Sequence, residues 1–189
     1  RLESFAGAFE DARIPDRSSQ SARDLKAEHR DRAQQGTKQL AQDLDRMATD
    51  LESIKEAYRQ AGKDELTEEL SGIFRDLLSL SRSQERTATE ALRGGRRSDH
   101  ESLSGRQTRD MNAAVRLAER LMDTSRKTFL VPPQAGVGLQ NATAQIQKSM
   151  GHLQRNLGDQ AGKDAREAMA GLNSSAMGVR NALAAVKSA

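Results

Sequence analysis

Cysteine and tryptophan are absent from this chain of 189 residues, and its aromatic residues are limited to four Phe and one Tyr. Without cysteine there are no disulfides, no thiolate nucleophile and no thiolate ligands for structural zinc. A deep small-molecule pocket usually has aromatic walls, so the scarcity of aromatic side chains disfavours one. No run of about 18 apolar residues occurs, so we do not expect this segment to span a membrane.

Charged residues are numerous but nearly balanced. Lys and Arg number 30 against 27 Asp and Glu, a formal net charge of +3, with opposite signs interspersed. A nucleic-acid-binding protein usually concentrates its basic residues on one face, so nucleic acid is disfavoured as a partner. The one local basic cluster contains Arg93, Arg96 and Arg97. It is either a soluble tight turn or a contact for an anionic partner.

Residues that carry chemistry do not form a recognisable constellation. His29, His100 and His152 lie on different predicted helices, and none has a second ligand at metal-binding spacing on the same face. Neither a nucleophile elbow nor a phosphate-binding loop occurs. We therefore predict no catalytic residue, no metal ligand and no cofactor, and we expect a protein that is not an enzyme.

Helical periodicity is the strongest signal in the chain. Apolar residues recur at alternating intervals of four and three, which is typical of helices that pack on other helices. A first seam consists of Leu40, Leu44, Met47, Leu51, Ile54 and Tyr58. A second consists of Ala165, Met169, Leu172, Ala176, Val179, Leu183 and Val186. The predicted fold is all-α: an elongated antiparallel helical bundle or coiled coil of about five helices.

Turn and cap signals divide the chain into segments. Residues 1–20 are predicted to form a short helix and a linker. The segment around Pro15 is expected to end this helix. Residues 21–62 are predicted to form a long helix whose first half is weakly packed. Residues 63–189 are predicted to form a bundle of about four helices, which makes one continuous unit with the preceding helix. The predicted helix ends and turns lie at Gly62, Gly94, Gly95, Gly158 and Gly162.

The connector at residues 128–133 is unusually apolar for a loop. Phe129, Leu130 and Val131 precede two prolines, and apolar side chains in a loop are costly if they are exposed. Two interpretations follow. These side chains either plug the open end of the bundle or form a docking point for another chain.

Four stretches resemble those of large bacterial membrane-anchored cell-envelope proteins of unknown function. Leu77–Glu85 resembles their Leu-Ser-x-x-Gln-Glu stretch, and Gly105–Met111 resembles their Gln-containing helix start. Lys127–Gly136 is similar to their Phe-x-x-Pro-x-x-Gly linker, although this chain has Pro-Pro where the family shows Ser-Pro-Glu. Ala165–Asn173 is similar to their Ala-Met-x-x-Leu-Asn segment, so the match covers roughly residues 64–186.

The resemblance implies a long helical coiled-coil region on the periplasmic side of the cell envelope. It implies membrane helices outside this segment and supplies no catalytic residues. The chain begins at Arg1 and not at Met, so we interpret it as a portion of a longer protein.

We expect a structural or protein-interaction scaffold within a multi-protein assembly, with self-association through the seams among the alternatives. A different class of function is the binding of nucleic acid or an anionic membrane surface through the Arg-rich turn at 93–97. The candidate partner contacts are Arg93, Arg96, Arg97, Phe129, Leu130 and Val131.

Overall fold

A computed structural model describes residues 13–26, 30–93 and 97–188. These residues form five α-helices and no β-strand: α1 (Ile14–Lys26), α2 (Arg30–Leu92), α3 (Arg97–Lys127), α4 (Pro133–Gln154) and α5 (Gly158–Ser188). The predicted all-α helical bundle is confirmed. The chain divides into two compact units, residues 1–62 and residues 63–189.

The second unit is a four-helix bundle in which successive helices run antiparallel. Its members are the part of α2 after Gly62, together with α3, α4 and α5. Each helix is joined to its neighbours by side-chain hydrogen bonds. Asp76 and Arg120 join α2 to α3, and Gln107 and Ser149 join α3 to α4. His152 and Asp164 join α4 to α5, and Ser81 and Asn173 join α2 to α5. Short connectors with antiparallel neighbours are the usual up-down-up-down arrangement of such bundles.

Heptad positions of all four helices supply the bundle core. The buried aliphatic side chains include Leu70, Ile73 and Leu77 of α2, Leu117 and Leu121 of α3, Leu139 and Ile146 of α4, and Leu172, Val179 and Val186 of α5. The second predicted seam is therefore on the buried face of α5. Burying one such side chain contributes about 1.5–3 kcal/mol, so this core dominates the stability of the unit.

The helices α4 and α5 approach each other closely because glycines face each other at their crossing. A Cβ atom on Gly138 would lie 2.8 Å from the carbonyl oxygen of Gly171, and one on Gly171 would lie 2.7 Å from that of Gly138. Nearby, the hydroxyl of Ser175 donates a hydrogen bond of 2.6 Å to the carbonyl oxygen of Ala135. A side chain at either glycine would push the two backbones apart.

Two predicted helix breaks are wrong. The helix α2 continues through Gly62, because a mid-helix glycine costs only about 1 kcal/mol relative to alanine and the flanking residues favour the helix. The helix α1 begins at Ile14, so Pro15 lies in its first turn, where the N–H that proline lacks has no intrahelical partner. The short helix predicted before Pro15 lies largely outside the described residues.

The predicted turn between Gly158 and Gly162 is also wrong, since α5 begins at Gly158 and contains Gly162. The residue that turns the chain is Asn156, whose φ of 60° is left-handed. Asparagine tolerates this conformation better than most residues. The N–H of Leu157 donates a 2.9 Å hydrogen bond to the carbonyl oxygen of His152, which gives α4 a Schellman-type end.

The first unit pairs α1 with the start of α2. The Arg17 guanidinium forms an ion pair with Asp43, and the Ser21 hydroxyl lies against Gly36, where a Cβ atom would be 2.7 Å away. Ala33, in the half of the predicted 21–62 helix that was expected to be weakly packed, is buried.

Two glycines of α4 provide a matched test of the α4–α5 contact. Gly138→Ala should lower the free energy of unfolding by about 1–3 kcal/mol, because its methyl group meets the α5 backbone. Gly136→Ala should raise it by up to about 1 kcal/mol, since no atom lies within 4 Å of its Cβ position and alanine favours the helix. Urea unfolding followed by circular dichroism measures both. Equal stability of the two variants would contradict the close contact.

Candidate functional site

The connector between α3 and α4 contains a buried apolar residue and a fully exposed one. Val131 is buried in the bundle core and Leu130 packs partly against it, whereas the side chain of Phe129 is 96% exposed. The interpretation as a plug of the bundle end therefore holds for Val131 and Leu130, whereas docking of another chain at Phe129 stays a prediction. Val131 and Leu130 close the end of the core, and Phe129 projects from the surface.

A groove with a volume of about 560 Å³ lies beside Phe129. Its walls come from the second half of α3 and the first turns of α4, and they are mainly apolar. Ala118, Ser125 and Gly136 line it, and the space beyond the Gly136 backbone holds no atom within 4 Å of a Cβ position. We call it the connector groove. The small side chains explain the depression, because larger residues at these positions would fill it.

The outer face of α3 leads into the connector groove. Val115, Met122 and Phe129 are spaced by seven residues, so the first two lie on one face of the helix and Phe129 follows its end. Val115 is 41% exposed and Met122 is 51% exposed. Single exposed apolar residues are normal on protein surfaces, but a line of them beside an apolar groove is typical of an interaction site.

A second exposed apolar line lies on α2, in the first unit. Leu44 and Leu51 are each 47% exposed and Tyr58 is 80% exposed, at intervals of seven residues. We call these three residues the α2 stripe. They belong to the first predicted seam, which was expected to pack on another helix. Among the described residues of this unit, no helix buries them.

A buried polar layer connects all four helices of the bundle. The side-chain amides of Gln84 and Gln107 exchange hydrogen bonds of 3.1 and 3.0 Å. Gln107 also donates to the hydroxyl of Ser149 at 3.2 Å, and Ser149 donates to the carbonyl oxygen of Ala161 at 2.9 Å. We call this set the glutamine layer. Because each buried polar group in it has a partner, it specifies how the four helices align.

Asp110 is a buried carboxyl group at the edge of the glutamine layer. It accepts hydrogen bonds from the Ser83 hydroxyl at 2.7 Å and from the Gln84 amide at 2.8 Å. Burial raises the pKa of Asp110 above its usual 3.8, because desolvation of the charged form outweighs the hydrogen bonds from Ser83 and Gln84. The protonation of this group therefore affects the stability of the fold.

The predicted arginine contacts are only partly described. Arg93 is exposed at the end of α2, and Arg96 lies outside the described residues. Arg97 begins α3, but its side chain is not among the described ones. These arginines are not brought together with Phe129 in any described contact.

Other arginines converge in a polar groove of about 530 Å³ between α2 and α3. Arg86, Arg116 and Arg120 line it together with the carboxyl groups of Asp76 and Asp110. Arg120 is paired with Asp76 at 2.6 Å. Three guanidinium groups thus share the groove with two carboxyl groups, which does not favour a polyanion. The sequence could not reveal this cluster, because it forms only when α2 and α3 pair.

The two described histidines each make a side-chain contact with a polar residue. The Nδ1 atom of His152 lies 2.6 Å from an oxygen of Asp164, a contact between α4 and α5, and Nδ1 of His100 lies 3.3 Å from the amide oxygen of Asn156. His29 lies outside the described residues. Within the described ranges, no group of three or more His, Asp or Glu side chains is placed to hold a metal ion.

Comparison with known proteins shows no family for this chain. No family model, no curated protein and no solved structure matches the chain. The resemblance to membrane-anchored cell-envelope proteins therefore stays a prediction. No described helix combines the length and the apolar character that crossing a bilayer requires.

The raised pKa of Asp110 predicts a pH-dependent effect of Asp110→Asn. A group whose pKa is raised by folding contributes stability below its unfolded value and loses it as the pH rises through the folded value. The variant cannot titrate, so its free energy of unfolding relative to the unmodified protein should increase as the pH rises from about 3 to 7. Urea unfolding across this range measures the difference.

Asp123→Asn is the control for this experiment, because Asp123 is an exposed aspartate on the same helix. This variant removes the same charge as Asp110→Asn but leaves the glutamine layer unchanged. A difference for Asp110→Asn that stays flat, or that falls as the pH rises, would contradict the assignment.

Proposed function

We propose that this chain is a non-enzymatic helical scaffold that binds helices of other proteins through the α2 stripe. The observation that supports the proposal is the exposure of Leu44, Leu51 and Tyr58 at heptad spacing along one helix. In coiled coils, residues at this spacing insert between the side chains of a facing helix. A partner helix would bury all three at once.

Burial of the stripe would contribute to an association of this kind. Complete burial of one large apolar side chain yields at most about 1.5–3 kcal/mol, so burial of the three residues would offset part of the entropic cost of association, which is about 4–15 kcal/mol. Charged residues flank the stripe, with Asp50 on one side and Lys55 on the other. Flanking charges of opposite sign select the partner and its direction more than they add affinity.

The sequence resemblance supports a place for this scaffold on the periplasmic side of a bacterial cell envelope. Membrane attachment would then come from segments outside this chain. Fractionation of cells that produce the natural protein tests the location. Recovery in the cytosolic fraction alone would contradict it.

The alternative of an anionic ligand at the Arg-rich turn has less support. Only Arg93 among the three arginines of this turn has a described side chain, and no described contact joins it to another basic group. The α2 stripe, in contrast, is an exposed apolar surface with a regular spacing. The geometry therefore supports protein association over binding to a charged surface.

Site-specific photocrosslinking tests the scaffold function. A photoreactive residue in place of Leu51 should give adducts with a partner protein in a native envelope preparation, because this position faces the partner helix. The same residue in place of Ser53, which is exposed on the opposite face of α2, should give few adducts. Introducing Leu44→Glu should abolish the Leu51 adducts, since the charge would be buried without a partner.

Two results would overturn this function. One is an equal yield of adducts from positions 51 and 53, which would indicate random contact. The other is retention of the Leu51 adducts in the Leu44→Glu variant, which would show that the stripe is not the binding surface.

A further inference from the structure

We infer that the outer face of α3, together with the connector groove, binds the same face of a second copy of this chain in antiparallel orientation. The twofold axis passes close to Met122. This inference goes beyond the proposed function, because it concerns a surface of the second unit and names its occupant. It shares with that function only the premise that the chain is an association module.

A projecting side chain and a depression lie side by side on this surface. Phe129 is 96% exposed and lines the connector groove of about 560 Å³. In a twofold contact the same patch serves on both copies, so the Val115 end of each copy can cover the Phe129 side chain and the connector groove of the other. Both aromatic side chains and both grooves are then removed from water by one contact.

The spacing along α3 fits an antiparallel pair. Val115 and Phe129 lie seven residues before and after Met122. In an antiparallel pair centred on Met122, each Val115 lies opposite Phe129 of the second copy, and the two Met122 side chains meet. The large side chains then face each other along the whole line. Methionine suits such a centre because its flexible side chain adapts to irregular gaps.

Charges beside the apolar line are complementary in this arrangement. Glu119 and Arg126 lie on the same flank of the apolar line, three residues before and four residues after Met122. The antiparallel pair places Glu119 opposite Arg126 of the second copy, and the reverse, which gives two contacts of opposite sign. In a parallel pair this flank would face Ala118 and Ser125, which carry no charge.

The charges therefore select the antiparallel orientation. Within one chain, Arg126 contacts Asp123 at 3.3 Å, and both side chains are exposed. Such a surface ion pair is weak, so Arg126 can exchange Asp123 for Glu119 of the second copy at little cost. The contact is small, which predicts a weak and concentration-dependent dimer.

Cysteine crosslinking locates the twofold axis. The chain has no cysteine, so Met122→Cys introduces a single thiol. If the axis passes close to this position, mild oxidation should yield a covalent dimer. Met177→Cys is the control, because Met177 is an exposed methionine on α5. Equal yields from the two variants, or no dimer from Met122→Cys, would overturn the inference.

Charge reversal tests the orientation. E119R and R126E should each weaken the dimer about threefold to tenfold, since like charges then face each other. An equimolar mixture of the two variants should restore association, because every introduced charge then faces its opposite on the other copy. Sedimentation equilibrium measures all three samples. A mixture that associates no better than either variant alone would contradict the antiparallel contact.

Filling the groove separates association from folding. Gly136→Gln places a side chain in the connector groove, where no atom lies within 4 Å of the Cβ position, so the fold should be as stable or more stable. The dimer should be lost, as it should be in Phe129→Ser. A dimer that persists in both variants would show that association occurs elsewhere and would overturn the inference.

These experiments distinguish failure of this inference from failure of the proposed function. If Phe129→Ser removes the dimer but leaves the Leu51 adducts, both surfaces act as described. An unmodified chain that stays monomeric at the highest attainable concentrations would overturn the inference alone. If the unmodified chain forms the dimer but position 51 gives no more adducts than position 53, only the proposed function is overturned.

Discussion

The hydrogen bonds between Gln84 and Gln107 constrain the whole bundle, because both side-chain amides are buried and cannot form hydrogen bonds with solvent instead. Through Ser149 and the carbonyl oxygen of Ala161, the same layer reaches α4 and α5. A shift of one helix would leave a buried polar group unpaired, at a cost of about 1–3 kcal/mol. Together with the buried leucines Leu117 and Leu121, the layer therefore constrains the rotation of α3, and in that rotation Met122 is half exposed.

The two heptad seams show what periodicity can predict. The spacing identified helices with one apolar face, and Leu172 and Val179 of the second seam are buried in the bundle. The same spacing on α2 leaves Leu44 and Leu51 about half exposed. A seam indicates that the apolar face of a helix packs on another helix. It does not show whether that helix belongs to the same chain. Contacts between distant segments decide this.

Helix ends and the candidate site were predicted less well, for a physical reason. Gly62 lies inside a helix because its neighbours outweigh a penalty of about 1 kcal/mol, whereas Asn156 turns the chain without any glycine. The sequence singled out Phe129 as an unusual loop residue. It could not show the groove beside it, since Ala118 and Gly136 come together only when α3 and α4 pair.

The tight turn at Asn156 has a kinetic consequence. It joins α4 and α5, whose backbones meet at Gly138 and Gly171 after only a short loop, so forming this pair costs little chain entropy. The contact between Ser81 and Asn173 spans 92 positions of the chain and costs much more to close. We expect the α4–α5 hairpin to be an early folding nucleus, with the return of α5 to α2 completing the bundle late.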